Sequence, residues 1–267
     1  MIGMGTLDGK VAIVTGASRG IGAEIARRFA LEGAAVAVAA RTTEPGMSPL
    51  PGTIGETVGQ IRAAGGTAVA IRADLSRPAD RERLVSDTVS QLGVPDVLVS
   101  NAAVTYFTPV EYFTARRLRL MLDVQVEAPF HLAQLVIPGM RDSGGGWILN
   151  ISSGAARHPT VPPAARARGG TVYGMCKAAL ERFSTGLAAE LYADNIAVNA
   201  LSPSRVVPTP GTIFHHLTTA DDPESEPPSV MAEAALLLCS GDPTVLTGRI
   251  AYSRQLIAEL GGTVPAR

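Results

Sequence analysis

KVAIVTGASRGIGAEIARRFALEGAAVAVAAR, residues 10–41, carries the decision about the fold. Lys10 to Thr15 is a short apolar run with β-branched residues. A glycine-rich turn follows, and apolar residues then recur at helical spacing from Ile21 to Leu31. Gly33 stands where a helix C-terminal cap belongs. Ala35 to Ala40 is a second apolar run without alternation, the pattern of a strand buried on both faces.

The strand-helix rhythm continues along the chain. Further strands are expected at Ala68 to Ile71, Asp96 to Val99, Trp147 to Ile151, Ile196 to Ala200 and Arg249 to Tyr252. Helices are expected near Ile54 to Ala64, Ala79 to Leu92, Ala115 to Arg141, Val172 to Ala193 and Val230 to Cys239. Pro129 and Pro138 require the third of these to kink or break. Such spacing is too long for hairpins and implies βαβ units. The expected fold class is therefore α/β: one doubly wound, Rossmann-like domain over residues 1–267, its seven-stranded sheet mostly or fully parallel and flanked by helices on both faces. Thr42 to Gly52, Arg157 to Gly170 and Ser204 to Pro228 are rich in Pro and Gly and fit no regular element; they read as insertions or loops.

Bulk properties narrow the function. The formal net charge is -1 and basic residues are scattered, so no stripe invites nucleic acid or an anionic membrane, and a small-molecule substrate is expected. The two cysteines, Cys176 and Cys239, offer neither a disulfide framework nor metal-ligand spacing, and no metal is expected. MIGMGTLDGK lacks the features of a signal peptide, and every long apolar stretch reads as interrupted before it could span a bilayer; the expected location is cytoplasmic. Lys10 and Lys177 are the only lysines among 23 basic residues.

Gly16, Gly20 and Gly22, with Ser18, Arg19 and Ile21 between them, sit where backbone amides and a helix N-terminus can receive a pyrophosphate. A tight, closely packed βα turn would need the same glycines. Ala40 ends the second strand where NAD sites place a carboxylate, and Arg41 follows it. With Arg19 this forms the two sides of a clamp for a 2′-phosphate, which favours NADP(H) over NAD(H); ordinary solvated arginines are the alternative.

TGASRGIG (15–22), SNAAV (100–104), NISS (150–153), YGMCK (173–177) and SPSRVVPTP (202–210) together resemble the short-chain dehydrogenase/reductase family over nearly the whole chain. The resemblance implies a single doubly wound sheet, hydride transfer with a nicotinamide cofactor, and a homo-oligomer, tetramer or dimer. It implies adenine contacts from Asp74 and its neighbour Leu75, although Asp74 could equally cap the helix beginning near Arg77. Asn101 and Ala102 match the motif after the fourth strand, with Ala103 in place of its last glycine.

Tyr173 and Lys177 lie four apart on one helical face. An ammonium beside a phenol stabilises the phenolate and draws its pKa down; a Tyr and Lys that merely share a face would have the same spacing. The resemblance gives Lys177 a second role on the nicotinamide ribose and Tyr173 a place in the cofactor site. It assigns Ser153 the hydroxyl that steadies the substrate oxygen, Ser152 pointing to the other face of the strand. Gln125, in DVQVEAPF, replaces the family's asparagine, whose backbone carbonyl carries part of its work. Val206 matches a backbone contact to the carboxamide, Thr209 a diphosphate ligand, and residues 204–228 a lid; Ser204 replaces a glycine.

Ser153 and Tyr173 are separated by an insertion that should border the pocket, whose Arg157, Arg166 and Arg168 either meet an anionic substrate group or are solvated. The leading expectation is an NADP(H)-dependent oxidoreductase interconverting a ketone or aldehyde and an alcohol, with Tyr173 as acid/base. The rival, motivated by Gln125, Ala103 and Ser204, is a weakly catalytic cofactor sensor or interaction protein on the same fold.

Overall fold

A computed structural model of the chain describes residues 5–162 and 169–265. Seven strands, β1 (Val11–Thr15), β2 (Ala35–Ala40), β3 (Thr67–Arg72), β4 (Val97–Ser100), β5 (Gly146–Ile151), β6 (Ile196–Ser202) and β7 (Ile250–Tyr252), form one sheet. Their order is β3-β2-β1-β4-β5-β6-β7, and every pairing is parallel. Val14 pairs with Val38 on one side and Val99 on the other. The order reverses between β1 and β4, and that switch opens a crevice at the carboxyl ends of the strands.

Period-two alternation divides the sheet's side chains between two cores. Ala12, Val14, Val36, Val38, Val97 and Val99 meet α1 (Gly20–Leu31), α2 (Ile54–Ala63), α8 (Pro228–Ser240) and α9 (Ser253–Glu259). Ile13, Ala37, Leu98, Ile148 and Val198 face α3 (Pro78–Gln91), α5 (Ala128–Asp142) and α6 (Thr171–Glu190). The doubly covered parallel sheet is thus as the apolar runs predict.

Four local expectations need correction. The run from Ala115 is a continuous helical path that is not broken at its prolines: α4 (Ala115–Leu122) passes through a π-turn at Asp123–Glu127 into α5. Pro129 has no N–H for the carbonyl four residues back, that of Gln125, and the wider turn absorbs the mismatch. Ala115–Asp142 is also long and apolar enough to cross a bilayer, contrary to the reading that every such stretch is interrupted; its Leu132, Ala133, Val136 and Met140 pack into the core. Within 204–228 lies α7 (Pro210–Phe214), started by a capping box of Thr209 and Thr212 with Pro210 in its first turn. Finally α9, seven residues long and directly after β7, was hidden by its shortness and exposed polar face.

Candidate active site

A cleft of about 1010 Å³ opens at the switch point, the upper size for a small-molecule site. Its nucleotide end begins at the glycine turn. Gly16 and Gly20 have φ of +65° and +57°, so an L side chain would be strained at either. A Cβ on Gly16 would also meet Asn101 and Ala102, within 2.8–3.0 Å. Asn101 is a brace: its Nδ2 donates to Thr15 O (2.9 Å) and Gly16 O (3.2 Å), while Thr15 Oγ1 receives the Asn101 N–H (3.0 Å). Tight packing and an open anion cradle therefore coexist in this turn.

Gly16, Ser18, Arg19, Gly20 and Ile21 line the cleft, as do Arg41, Asp74 and Leu75. Gly22 does not: it is buried in α1, and a Cβ there would stand 2.3 Å from Asn101 Nδ2 and 2.6 Å from Gly16 O, so its smallness serves packing. Asp74 does not cap α3, whose N-cap is Arg77 without a side-chain bond. Instead Asp74 Oδ1 receives Ser76 N–H and Oγ–H at 3.1 and 2.8 Å, which folds the loop and leaves the residue on the cleft wall. Burial, and then the neighbouring Arg41, push the Arg19 guanidinium below its usual range. Its buried Nε has no partner among the described residues.

A nicotinamide dinucleotide fits these groups. The turn leaves no Cβ over the backbone amides, the helix N-terminus behind them has no acidic residue, and two mutually repelling guanidinium groups face the cleft.

At the other end β5 and α6 bring Ser153, Tyr173 and Lys177 to one wall. Ser153 caps a short 3₁₀ turn at Gly154–Ala156 through Ala155 N–H (3.2 Å) and lies beside Tyr173. Ser152 turns the opposite way, as strand alternation predicts, donating to Glu181 Oε1 at 2.7 Å. Lys177 Nζ lies 5.7 Å from the Tyr173 ring centroid and donates to Ile151 O at 2.8 Å.

The spacing predicts a phenol drawn down by this ammonium; in the structure burial raises Tyr173 instead, and the neighbouring Ser153 hydroxyl opposes it. Lys177 reaches past the ring to a carbonyl, and burial lowers its own pKa to about 8. Burial also pushes both thiols, Cys176 and Cys239, up, as for inert core cysteines.

Gln125 sits in the π-turn and does not line the cleft. Its Nε2 donates to Val104 O at 2.9 Å, and its buried Oε1 has no partner among the described residues. Buried Arg81, which no motif marks, supports the same turn: its Nε donates to Leu75 O (2.7 Å), Nη1 to Glu127 (2.9 Å) and Nη2 to Asp123 O (3.3 Å).

Asn101, Ala102, Val206 and Thr209 complete the expected set on the cleft wall. Thr209 stands over the glycine turn, where a Cβ on Gly20 would meet its Cγ2 at 3.0 Å. The Val206 carbonyl receives Glu226 N–H at 3.0 Å. Fully buried Glu226 in turn accepts from Ser204 N (3.1 Å), Ser253 Oγ (2.6 Å) and Arg254 Nε (3.0 Å). Ser204, in the place of a glycine, thus belongs to a knot joining both ends of the 204–228 segment to α9.

Sequence patterns missed the aromatic side of the cleft. Phe107 contacts the Tyr173 ring edge-to-face at 5.8 Å and His215 at 5.3 Å, and His215 contacts Phe214 at 5.3 Å. All line the cleft. They come from two loops and a five-residue helix, so no periodicity links them. Arg157 is turned away, stacked 4.1 Å from the Tyr252 ring, while Arg166 and Arg168 lie outside the described residues. The insertion re-enters beside the pocket, since a Cβ on Gly169 would meet Phe107 C at 2.9 Å. Among the described residues no cluster suited to a metal occurs.

The model of the short chain dehydrogenase family matches residues 10–215. An uncharacterised oxidoreductase of Methylorubrum extorquens is 37% identical over 249 residues, 93% of this chain and 92% of its own length. The 7alpha-hydroxysteroid dehydrogenase of Escherichia coli K12 is 34% identical over 251 residues, covering 91% and 92%. A solved metagenomic short-chain oxidoreductase in complex with NADP superposes with a TM-score of 0.74 at 28% identity, covering 92% of this chain and 98% of that one. The chain belongs to the short-chain dehydrogenase/reductase family and is an NAD(P)-dependent oxidoreductase.

Proposed function

We propose that this oxidoreductase uses NADP(H) to interconvert a ketone or aldehyde with an alcohol, Tyr173 exchanging the proton with the substrate oxygen. The observation that carries this reading is the convergence of Ser153, Tyr173 and Lys177 on one wall of the cleft. Preference for NADP(H) is supported by Arg19 and Arg41 facing the cleft where no carboxylate ends β2, and by the NADP held in the metagenomic relative.

Bound nicotinamide supplies or accepts the hydride. The substrate oxygen would lie between the hydroxyls of Ser153 and Tyr173. A phenol raised by burial stays protonated at neutral pH, which suits donation to a carbonyl oxygen. Negative charge left on the phenol oxygen is stabilised by the Lys177 ammonium, and Ser153 steadies the charge developing on the substrate. Behind them, Pro129 leaves the Gln125 carbonyl without its α-helical donor, so that a backbone acceptor survives the loss of the family's asparagine. The 204–228 segment, tied down at Glu226, is proposed as the lid. The partly exposed Phe107, Phe214 and Leu217 on the cleft wall suit an apolar carbonyl compound.

A panel of ketones and aldehydes, followed by NADPH oxidation, tests the reading. Tyr173→Phe should lower kcat/KM by about 10²–10⁴-fold while leaving NADPH affinity within a few-fold. Undiminished turnover by that variant would remove Tyr173 from the chemistry, and no turnover across the panel would favour the sensor.

A further inference from the structure

The segment 42–52 is tied to the glycine turn through Arg19. Arg19 Nη2 donates to Gly52 O at 2.6 Å and Nη1 to Ser48 Oγ at 3.3 Å. Ser48 Oγ also receives Leu50 N–H at 3.1 Å, which fixes the hydroxyl in the loop. The loop closes at its base, Ile54 N–H bonding Thr42 O at 3.1 Å. Gly52, with φ +99°, allows the close approach: a Cβ there would meet Ser18 O at 2.5 Å and Arg19 Cβ at 3.1 Å. Thr42, Ser48, Pro49 and Leu50 line the same cleft as Arg19 and Arg41.

These contacts fill only part of the guanidinium's donor capacity. Arg19 Nε is buried and unpartnered among the described residues, and burial and Arg41 both act against the charge of Arg19. Glu56, the carboxylate that offsets them, is held by the backbone N–H of Thr53 at 2.9 Å. A long arginine side chain is otherwise costly to immobilise, so a loop that pre-sets its fork lowers the entropy lost when an anion arrives.

We propose that the 42–52 loop is a specificity latch for the cofactor's 2′-phosphate: Gly52 O and Ser48 Oγ hold the Arg19 fork facing Arg41, and the Ser48 hydroxyl is a further phosphate ligand. This rests on the NADP(H) reading and adds Ser48 and Gly52 as specificity-determining residues. The latch acts on the 2′-phosphate alone, so it separates NADPH from NADH without altering the diphosphate or nicotinamide subsites.

Fluorescence titration of the parent, Ser48→Ala, Gly52→Ala and Arg41→Ala with NADPH and NADH reads this directly. Displacement by adenosine 2′,5′-diphosphate and by adenosine 5′-monophosphate isolates the phosphate without the nicotinamide. Ser48→Ala should weaken NADPH and adenosine 2′,5′-diphosphate by about five- to tenfold, with NADH and adenosine 5′-monophosphate within twofold of the parent; Gly52→Ala, whose Cβ also presses on Ser18 O of the glycine turn, should weaken all four ligands and NADPH the most. Ser48 is a partly exposed loop residue, so its variant keeps the test open if Gly52→Ala misfolds. A parent preference for NADPH that Arg41→Ala erases but Ser48→Ala leaves intact overturns the latch alone. Equal parent affinities for NADPH and NADH overturn the NADP(H) reading and the latch with it.

Discussion

At the nucleotide end of the cleft the backbone does the shaping, whereas at the substrate end side chains do it. The glycine turn is set by two positive φ angles and by approaches that exclude a Cβ, with Asn101 bracing main-chain carbonyls. Opposite it, Phe107, His215 and Phe214 meet edge to face across segments that share no element. Backbone shaping recognises what every dinucleotide has in common, a pyrophosphate, and tolerates little change. Shaping by side chains on loops lets one scaffold accept different substrates. Half-buried Tyr173 and buried Lys177 stand at the border, where α6 lines the cleft.

The largest effect is expected at that border. Lys177→Met removes the cation beside the phenol and should lower kcat/KM for carbonyl reduction by about 10²–10³-fold. In the proposed reduction the ammonium acts in its protonated form, and burial brings Lys177 down to about 8, so parent activity should be full below that pH and fall as pH rises through it. The variant should lack that limb. A pH-rate profile of both proteins checks this, and a limb that persists near pH 8 in the variant would assign it to another group.

At the nucleotide end, Gly22→Ala sharpens the distinction between contact and packing. Gly22 is off the cleft wall, yet its added Cβ would collide with Asn101 and the Gly16 carbonyl. Overpacking of this kind costs about 1–3 kcal/mol, which for a chain of this size lowers Tm by roughly 2–4 °C per kcal/mol. Thermal unfolding should show that loss without ligand, and NADPH should restore part of it through binding linkage. An unchanged Tm would mean that the Asn101 brace moves freely.

The same contrast explains how much was legible in the residues. Apolar runs revealed the central strands because the parallel sheet buries both their faces, whereas β3 and β7 at its edges are partly exposed, and Gly16, Ser153, Tyr173 and Lys177 stood in motifs whose spacing carries the geometry. Gln125 and Arg81 could not be read in this way. Gln125 turns to Val104 from a π-turn beside Pro129 that shifts the helical phase, and Arg81 is held by Leu75, six residues back, and by Asp123, 42 residues on. Desolvation of Tyr173 likewise arises from tertiary packing, so spacing alone does not carry the direction of its pKa. His215, without metal-ligand company in the sequence, joins the cleft only because Thr209 and Pro210 start a short helix there.

The smallest effect should come from Phe107→Ala, at the end shaped by side chains. Phe107 is 37% exposed and touches both Tyr173 and His215, so its loss widens the cleft without opening a sealed core. An aromatic edge contact contributes about 0.5–1.5 kcal/mol, equivalent to a rise in KM of roughly two- to tenfold. The kcat should stay within about twofold and NADPH affinity should not move, because the ring lies away from the glycine turn. Steady-state kinetics with bulky and small ketones would show the KM penalty growing with the apolar surface of the substrate. A fall in kcat at unchanged KM would instead make Phe107 a positioning residue for Tyr173, and the boundary between the chemistry and the substrate wall would then run through its ring.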